Sequence, residues 1–321
     1  MTAARQSDAA ATAGCGPVSV IIPAYRAPLL DEVLAALLAQ RDASLISEII
    51  VVGQPCAGQA KSSPLVRWIE TARRTPAGPA RNHGAAAAHG AYLLFLDADC
   101  LLEPDSVARL VAAINGGLDA AVGGVRPEPG SYWRLCHNLM AFPEFTTLDS
   151  PGERPSLPSL CLMVRRDAWL RVGPFDEGLV SETGEDLDWS YRARQTGYRL
   201  GCAPSAALRH RPERTSIGDV WRRHMRYGES WRTLYQRHRA LLPPSQAVWL
   251  AERLGDAAPA AFVMLAMLYV LRLAARRPHL LRFWYALPGM AWAQLAWYYG
   301  IKLAYDAERA SGTRHTTVEG Q

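Results

Sequence analysis

Six consecutive apolar residues at positions 91–96 run directly into the triplet Asp97-Ala98-Asp99. An uninterrupted apolar run of this length is typical of a strand that is buried on both faces, as in parallel sheets. Similar β-branched runs lie at 18–22 and 48–52, and apolar residues at helical spacing follow the first of them at 30–38. Strands that alternate with amphipathic helices predict an α/β fold, with a mostly parallel central sheet flanked by helices.

The rest of the chain divides into a continuation of this fold and a hydrophobic extension. A Pro/Gly/Ser-rich region at 127–158 is predicted to be loops or short helices over a site, and a helix is predicted at 186–195. We expect one domain over 17–240, hydrophobic helices over 241–310, and disordered ends at 1–16 and 311–321. The first 16 residues have no apolar core, which argues against a signal peptide. Six scattered cysteines favour a reducing, cytoplasmic compartment.

The extension contains two uncharged runs, at 257–271 and 283–301. A spanning helix needs about 20 apolar residues, so only the second run is long enough. A membrane hairpin would place the arginine-rich connection outside, against the positive-inside tendency. We therefore expect two helices on the cytoplasmic face of the membrane; the alternative is a pair of buried helices in a dimer interface. The aromatic residues expected at interface depth are Trp284, Trp292, Trp297 and Tyr298.

The positive charge is concentrated in one segment of the chain. The formal net charge is +5, and residues 208–239 contain nine arginines against three acidic residues. Such a segment suggests contact with phosphate groups or with an anionic membrane. No zinc-finger spacing or RNA-binding signature accompanies it, so we expect no nucleic-acid partner.

Two acidic pairs are candidates for chemistry. Asp97 and Asp99 follow a predicted strand at the sheet edge where ligands bind, and carboxylate oxygens suit Mg²⁺ or Mn²⁺. Their structural alternative is a turn acid and a helix cap. Glu185 and Asp186 open a predicted helix, where Asp186 could accept a proton from an attacking hydroxyl. The alternative is a capping box, since Thr183 precedes Asp186 by three residues.

Several segments together resemble a family 2 glycosyltransferase of the GT-A fold. The resemblance covers about residues 18–228, and four blocks in order are more specific than any one of them. The blocks are 18–25 (VSVIIPAY), 78–99 with its GPARN and YLLFLDAD segments, 172–176 (VGPFD) and 184–188 (GEDLD).

This resemblance implies a function and a set of roles. The expected enzyme is a metal-dependent inverting glycosyltransferase that moves a sugar from a nucleotide-diphosphate donor to an acceptor hydroxyl, with Mn²⁺ or Mg²⁺ as cofactor. The acceptor is unknown, and membrane contact suggests a lipid-linked or cell-envelope one. Asp186 is implied as the base and Glu185 as part of the acceptor pocket. The implied nucleotide contacts are Pro23, Ala24 and Tyr25 at the base, Arg81 near the nucleotide and Asp97 near the ribose. The implied metal ligand is Asp99. Separately from the resemblance, His210 follows a short predicted strand and is a candidate third ligand; the alternative is an ordinary surface histidine.

The resemblance also implies a mobile basic loop over the diphosphate, for which Arg222, Arg223 and Arg226 are candidates. One departure from the family pattern is that the second strand ends at Gly53-Gln54, where the family has an acidic turn that reads the base. Gln54 offers a donor and an acceptor to a base edge in its place. The missing acid also motivates a second hypothesis, a catalytically silent glycosyltransferase-like binding or scaffold subunit at the membrane.

Overall fold

The computed structural model describes residues 17–55, 63–179, 183–242 and 245–310, so the predicted disordered ends lie outside the described residues. Its strands are β1 (Val18–Tyr25), β2 (Ile46–Gln54), β3 (Val66–Glu70), β4 (Tyr92–Leu96), β5 (Cys100–Leu102), β6 (Ala120–Val125), β7 (Gly152–Glu153), β8 (Cys161–Arg165) and β9 (Leu200–His210). Its helices are α1 (Leu30–Leu38), α2 (Ala77–Ala87), α3 (Ser106–Asn115), α4 (Tyr132–Ala141), α5 (Arg166–Val172), α6 (Glu185–Gln195), α7 (Ile217–Arg237), α8 (Gln246–Leu254), α9 (Ala258–Arg276) and α10 (Leu287–Ala310).

The strands form one mixed sheet in the order β3-β2-β1-β4-β8-β6-β9-β5, with β7 added beside β9. The first four strands are parallel, as predicted. Strand β8 runs antiparallel to both of its neighbours and joins this half to the second parallel pair, β6 and β9. The carboxyl ends of β1 and β4 therefore meet at one edge of the sheet.

Strand β1 extends further than the sequence predicts. The β-branched run at 18–22 stops before Pro23, but β1 continues to Tyr25 and pairs with β2 along its whole length. The pairing with β4 stops at Ile21. Beyond that point β1 has a partner on one side only, so the missing N–H of Pro23 leaves no hydrogen bond unmade.

The region 127–158 contains one helix of ten residues, α4, which agrees with the loops or short helices predicted there. Residues 135–140 of α4 are buried, including His137 and Asn138. It packs against α10, α7 and the turn Pro278–Ala286 that precedes α10. The extension therefore contacts the α/β core through α4, and the domain boundary near residue 240 stays a prediction.

Helix α10 lies inside the protein, which corrects the expectation that both apolar helices lie on a membrane. A Cβ added at Gly228 of α7 would lie 1.9 Å from the carbonyl oxygen of Trp297, and one at Gly300 of α10 would lie 1.9 Å from that of Met225. Only glycine permits such a close approach of two helix backbones. The headgroup position expected of Tyr298 is accordingly wrong, because that side chain is buried, whereas those of the partly exposed Trp292 and Trp297 stay predictions.

The rings of these residues are used for internal packing. Trp292 contacts Trp221 with ring centroids 4.5 Å apart, and Trp297 contacts Trp231 at 5.6 Å. Tyr298 is only 4% exposed. The apolar character of α10 therefore serves the interface with α7.

Helix α9 and the turn after it differ from α10 because they expose a broad apolar face. The exposed side chains are Val263, Met264, Met267, Leu268, Tyr269 and Leu271 on α9, and Leu281, Trp284 and Tyr285 on the turn. Within the described residues, the continuous helical segment Gln246–Arg276 is long and apolar enough to cross a membrane, and 33% of its most apolar window is buried. The first uncharged run, which the sequence analysis predicts to be too short to span, therefore belongs to a longer helical segment that includes α8.

Candidate active site

A cavity of about 480 Å³ opens at the sheet edge where β1 and β4 end. It brings together segments far apart in the chain: the turn after β1, the start of α2, the end of β4 and the start of α6. Of the ten residues predicted for the nucleotide, acceptor and metal sites, Gln54 and His210 do not line it. The other eight do: Pro23, Ala24, Tyr25, Arg81, Asp97, Asp99, Glu185 and Asp186. Ligands bind at this edge of open α/β sheets, so the position agrees with the sequence analysis.

Arg81 ties three of these elements together from a buried position on α2. Its Nη1 donates to Oε1 of Glu185 at 2.8 Å, and its Nη2 donates to Oδ1 of Asp97 at 2.5 Å. Burial alone would raise the pKa of Asp97, but the Arg81 guanidinium outweighs it and holds that pKa below its usual value. Burial and the neighbouring Asp186 carboxylate raise the pKa of Glu185 to about 7, although Arg81 opposes them. The positive charge of Arg81 is therefore shared between two carboxyl groups, those of Asp97 and Glu185.

Asp186 is held at the cavity wall by Ser159, from the loop before β8. The Ser159 N–H donates to Oδ2 of Asp186 at 2.9 Å, and the Ser159 hydroxyl donates to the same atom at 3.1 Å. The capping-box alternative is wrong. Helix α6 has Gly184 at its N-cap with φ of 89° and no side-chain cap, and the Thr183 hydroxyl instead bonds to that of Ser230. The carboxylate of Asp186 is therefore oriented by tertiary contacts.

Asp99 lies beside His210, the last residue of β9. His210 Nε2 is 3.5 Å from Oδ1 of Asp99, and His210 Nδ1 is 2.8 Å from Oδ1 of Asn138. The Asn138 amide nitrogen donates to the His210 carbonyl at 2.9 Å, which leaves its Oδ1 as the acceptor. His210 Nδ1 therefore carries the hydrogen, and the lone pair of Nε2 faces Asp99.

This donor set fits a divalent cation. One carboxylate and one imidazole, the latter fixed through its second nitrogen, is an arrangement that Mn²⁺ accepts. The Cys100 sulfur also lies within 4.8 Å of the Asp99 and His210 donor atoms. Burial, followed by the charge of Asp99, raises the pKa of its thiol well above the usual value, so the thiol stays protonated and is a poor ligand. The metal-binding roles of Asp99 and His210 stay predictions.

Gln54 does not line the cavity. Its Nε2 donates to the Thr71 carbonyl at 3.0 Å, which connects the ends of β2 and β3. The cavity rim at this side is formed by Tyr25 and by Arg26, whose φ of 49° is left-handed. Such a backbone is uncommon for a residue other than glycine and tends to occur at functional sites. The contact of Gln54 with a nucleotide base stays a prediction, and its amide already has a partner.

The basic segment contributes one wall of the cavity. The expected mobile loop is instead helical, since residues 222–228 belong to α7. Arg222 is largely exposed and pairs with Asp219 at 2.7 Å, and it does not line the cavity. The arginines of this segment that line it are Arg211, Arg214, Arg223 and Arg226. Sequence reasoning missed Arg211 and Arg214, although both lie within the arginine-rich segment that it singled out.

This chain is similar to several known proteins. Residues 19–173 match the model of Glycosyl transferase family 2. Glycosyltransferase AglE of Haloferax volcanii is 30% identical over 224 residues, which cover 66% of this chain and 72% of that protein. Validoxylamine A glucosyltransferase of Streptomyces hygroscopicus subsp. jinggangensis is 29% identical over 221 residues, 56% of this chain and 52% of that protein. The chain thus spans about half the length of this second relative.

Among solved structures, the mannosyltransferase PcManGT of Pyrobaculum calidifontis in complex with GDP-Man and Mn²⁺ superposes with a TM-score of 0.57. The two chains are 17% identical, and the match covers 93% of this chain and 88% of that one. The likeness extends over the α/β core and the helical extension and confirms the expected fold class.

Proposed function

Since the chain belongs to glycosyl transferase family 2, we propose that it moves a sugar from a nucleoside-diphosphate donor to an acceptor hydroxyl with inversion, and that it uses a divalent cation. The observation that carries this proposal is the shared cavity. Asp99 and Asp186 line one cavity of about 480 Å³, although they come from different parts of the chain. Such a cavity accommodates a cation-bound diphosphate and a base for the acceptor together.

Asp99 and His210 are the residues proposed to hold the cation. A divalent cation bound there offsets the negative charge that grows on the departing diphosphate. PcManGT, which has a similar fold, was solved with GDP-Man and Mn²⁺, and this supports Mn²⁺ as the first cation to test. The arginines along the same wall suit the phosphates of the donor.

Asp186 is proposed to accept the proton of the attacking hydroxyl. Two donors from Ser159 hold its Oδ2 in place, so the carboxylate need not be reoriented when the acceptor arrives. Glu185 and Arg81 shape the wall beside it. Pro23, Ala24 and Tyr25 are proposed to border the base of the nucleotide, as the family resemblance implies.

A thermal-shift screen of nucleotide sugars tests the proposal. We expect one or a few of them to raise the melting temperature of the full chain in the presence of Mn²⁺, and the shift to shrink when EDTA replaces the cation. Slow release of free nucleotide from the stabilising donor would exclude a catalytically silent subunit. Absence of a shift with every nucleotide sugar, or a shift without nucleotide release, would contradict the proposed activity.

The proposed place of action is an anionic membrane surface, contacted through the exposed apolar face of α9 and the following turn. Residues 257–305 contain no Asp or Glu, and Arg272, Arg276 and Arg282 are exposed around this face. Apolar side chains flanked by exposed arginines complement anionic headgroups and the acyl chains beneath them. Such a location is compatible with a lipid-linked or cell-envelope acceptor.

Acidic substitutions on this face are expected to weaken membrane binding. Met264 is 65% exposed and Trp284 is 69% exposed, so M264E/W284E leaves the core intact. Each lost apolar contact is worth about 1.5–3 kcal/mol, so cosedimentation with phosphatidylglycerol vesicles should fall by more than about tenfold. L170E is the matched control, because Leu170 on α5 is also 65% exposed but lies on the surface of the α/β domain, away from the extension. The membrane proposal is wrong if the wild type does not cosediment with the vesicles. If M264E/W284E then converts a dimer into a monomer, the face is a dimer interface.

A further inference from the structure

Arg214 is a cavity-lining cation that is held in an unusual way. It lies in the loop between β9 and α7, and its backbone N–H donates to the Pro212 carbonyl at 2.8 Å. Among the residues that the structure describes, no carboxylate lies within ion-pair distance of its guanidinium. Its contact is with an imidazole: Arg214 Nη1 is 3.1 Å from Nε2 of His137.

A second imidazole continues this contact into the protein. His137 Nδ1, on α4, is 3.1 Å from Nε2 of His224, on α7. His137 is completely buried and His224 is 3% exposed. Residues Arg214, His137 and His224 therefore form a chain of hydrogen bonds that runs from the cavity into the interface between α4 and α7.

The direction of these hydrogen bonds follows from the chemistry of arginine. A guanidinium only donates, so His137 Nε2 must accept and His137 Nδ1 must carry the hydrogen. That hydrogen is donated to His224 Nε2, so both rings are neutral. Burial, followed by the charge of Arg214, holds the pKa of His137 well below its usual value. Burial, followed by Arg214 and Arg223, lowers the pKa of His224 to about 3.

The contrast with Arg81 shows what this arrangement achieves. Arg81 donates to Asp97 and Glu185, so its charge is balanced within the protein. Arg214 is fixed by neutral acceptors, which orient the guanidinium without cancelling its charge. A cation that is oriented but not neutralised favours an anionic ligand over solvent.

We propose that His137 and His224 are positioning residues that hold Arg214 as a cation reserved for the diphosphate of the donor, an inference that rests on the proposed function. Two consecutive residues of helix α4 act on the two groups proposed to hold the diphosphate, Arg214 and the cation site. His137 orients Arg214, and Asn138 orients His210. Neither α4 residue lines the cavity itself.

The test compares nucleoside diphosphates with the matching nucleosides. Binding of uridine and guanosine diphosphate to the full chain is measured by calorimetry with Mn²⁺ and with EDTA, and the nucleosides are measured by competition. H137F removes the acceptor of Arg214, so we expect roughly ten- to hundredfold weaker diphosphate binding with unchanged nucleoside binding. The loss should persist in EDTA. H137Q, whose Oε1 replaces Nε2 as an acceptor, should recover most of the affinity.

A double-mutant cycle separates positioning from general damage. If His137 acts through Arg214, then H137F should cause no further loss in an R214M background. H238F is the matched control: His238 is also buried, and its Nε2 contacts Asp188 at 2.9 Å, outside the cavity lining. It should lower the melting temperature without changing the ratio of diphosphate to nucleoside affinity.

The outcomes distinguish this inference from the proposed function. If the wild type binds no nucleoside diphosphate, the proposed function and this inference both fail. If the wild type binds one and H137F binds it equally well, or if H137F weakens binding as much in the R214M background as alone, only the positioning role fails.

Discussion

Replacing Asp186 with Asn is expected to lower the rate of sugar transfer by about 10²–10⁴-fold, the contribution of a positioned general base. The amide keeps the size of the side chain, and its Oδ1 can still accept from the Ser159 N–H and hydroxyl that hold Oδ2 of Asp186. The amide cannot take up the proton of the attacking hydroxyl. The fall should therefore appear in kcat, measured by transfer or by release of free nucleotide, while the affinity for the donor changes little.

The stability cost of this variant should be small. Asp186 Oδ1 also accepts from the Leu187 N–H at 2.9 Å, and loss of this contact costs about 1 kcal/mol. The matched control is D188N, two residues further along α6. Asp188 is buried and bonds to Arg192 at 2.8 Å, but it does not line the cavity. D188N should be the less stable protein and yet transfer sugar at nearly the wild-type rate per folded molecule.

The reverse pattern would reject the assignment of Asp186. If D186N transfers sugar at the wild-type rate and D188N does not, the base lies elsewhere on α6. If both variants lose activity in proportion to their melting temperatures, helix stability rather than proton transfer explains the loss.

The sequence predicts those site residues that lie at the end of a strand or at the start of a helix, because a short segment of the chain is enough to place them. Asp97 and Asp99 directly follow an apolar run that is typical of a buried strand, and the carboxyl ends of parallel strands share an edge. The position of these residues in the cavity follows from that rule. Glu185 and Asp186 start a helix whose place in the fold is implied by the order of the family-like blocks.

The part that the sequence does not predict depends on contacts between distant segments. Thr183 and Asp186 have the spacing of a capping box, but the competing partners, Ser230 and Ser159, lie elsewhere in the chain. Because several partners can satisfy the same hydroxyl or carboxylate, local spacing alone does not decide between them. The contacts of His137 with Arg214 and His224 are not predicted from the sequence for the same reason, since these residues lie far apart in the chain.

The uncharged runs mislead in a similar way for the extension. They mark the segments of α9 and α10 alike, yet α10 is buried against α7 and α9 exposes a face. Lipid and a protein partner remove apolar side chains from water equally well, so the pattern does not distinguish them. The signal that distinguishes them is the pair of small residues Gly228 and Gly300, where the two backbones meet. These two glycines indicate close packing only when α7 and α10 are known to be neighbours in the fold.

Replacing Asp99 with Ala is expected to abolish the metal-dependent part of donor binding. Asp99 supplies the carboxylate of the candidate cation site, beside the His210 nitrogen 3.5 Å away. Loss of a residue that only orients a metal ligand costs about 10–100-fold in affinity, so loss of the carboxylate itself should cost more than about 100-fold. Calorimetry of the donor with Mn²⁺ and with EDTA should give equal, weak affinities for D99A and clearly different ones for the wild type.

Two further variants make the result specific to the cation. D105N is the matched control, since Asp105 pairs with Arg41 on the surface at 3.0 Å and should keep the full effect of Mn²⁺. N138L leaves both candidate ligands present but removes the acceptor that fixes His210 Nδ1, so it should lower Mn²⁺ affinity by about 10–100-fold. If D99A still binds the donor more tightly with Mn²⁺ than with EDTA, the cation is held elsewhere. In that case the proposed role of this sheet edge in gripping the diphosphate is wrong, because Asp99 is the carboxylate on which it depends.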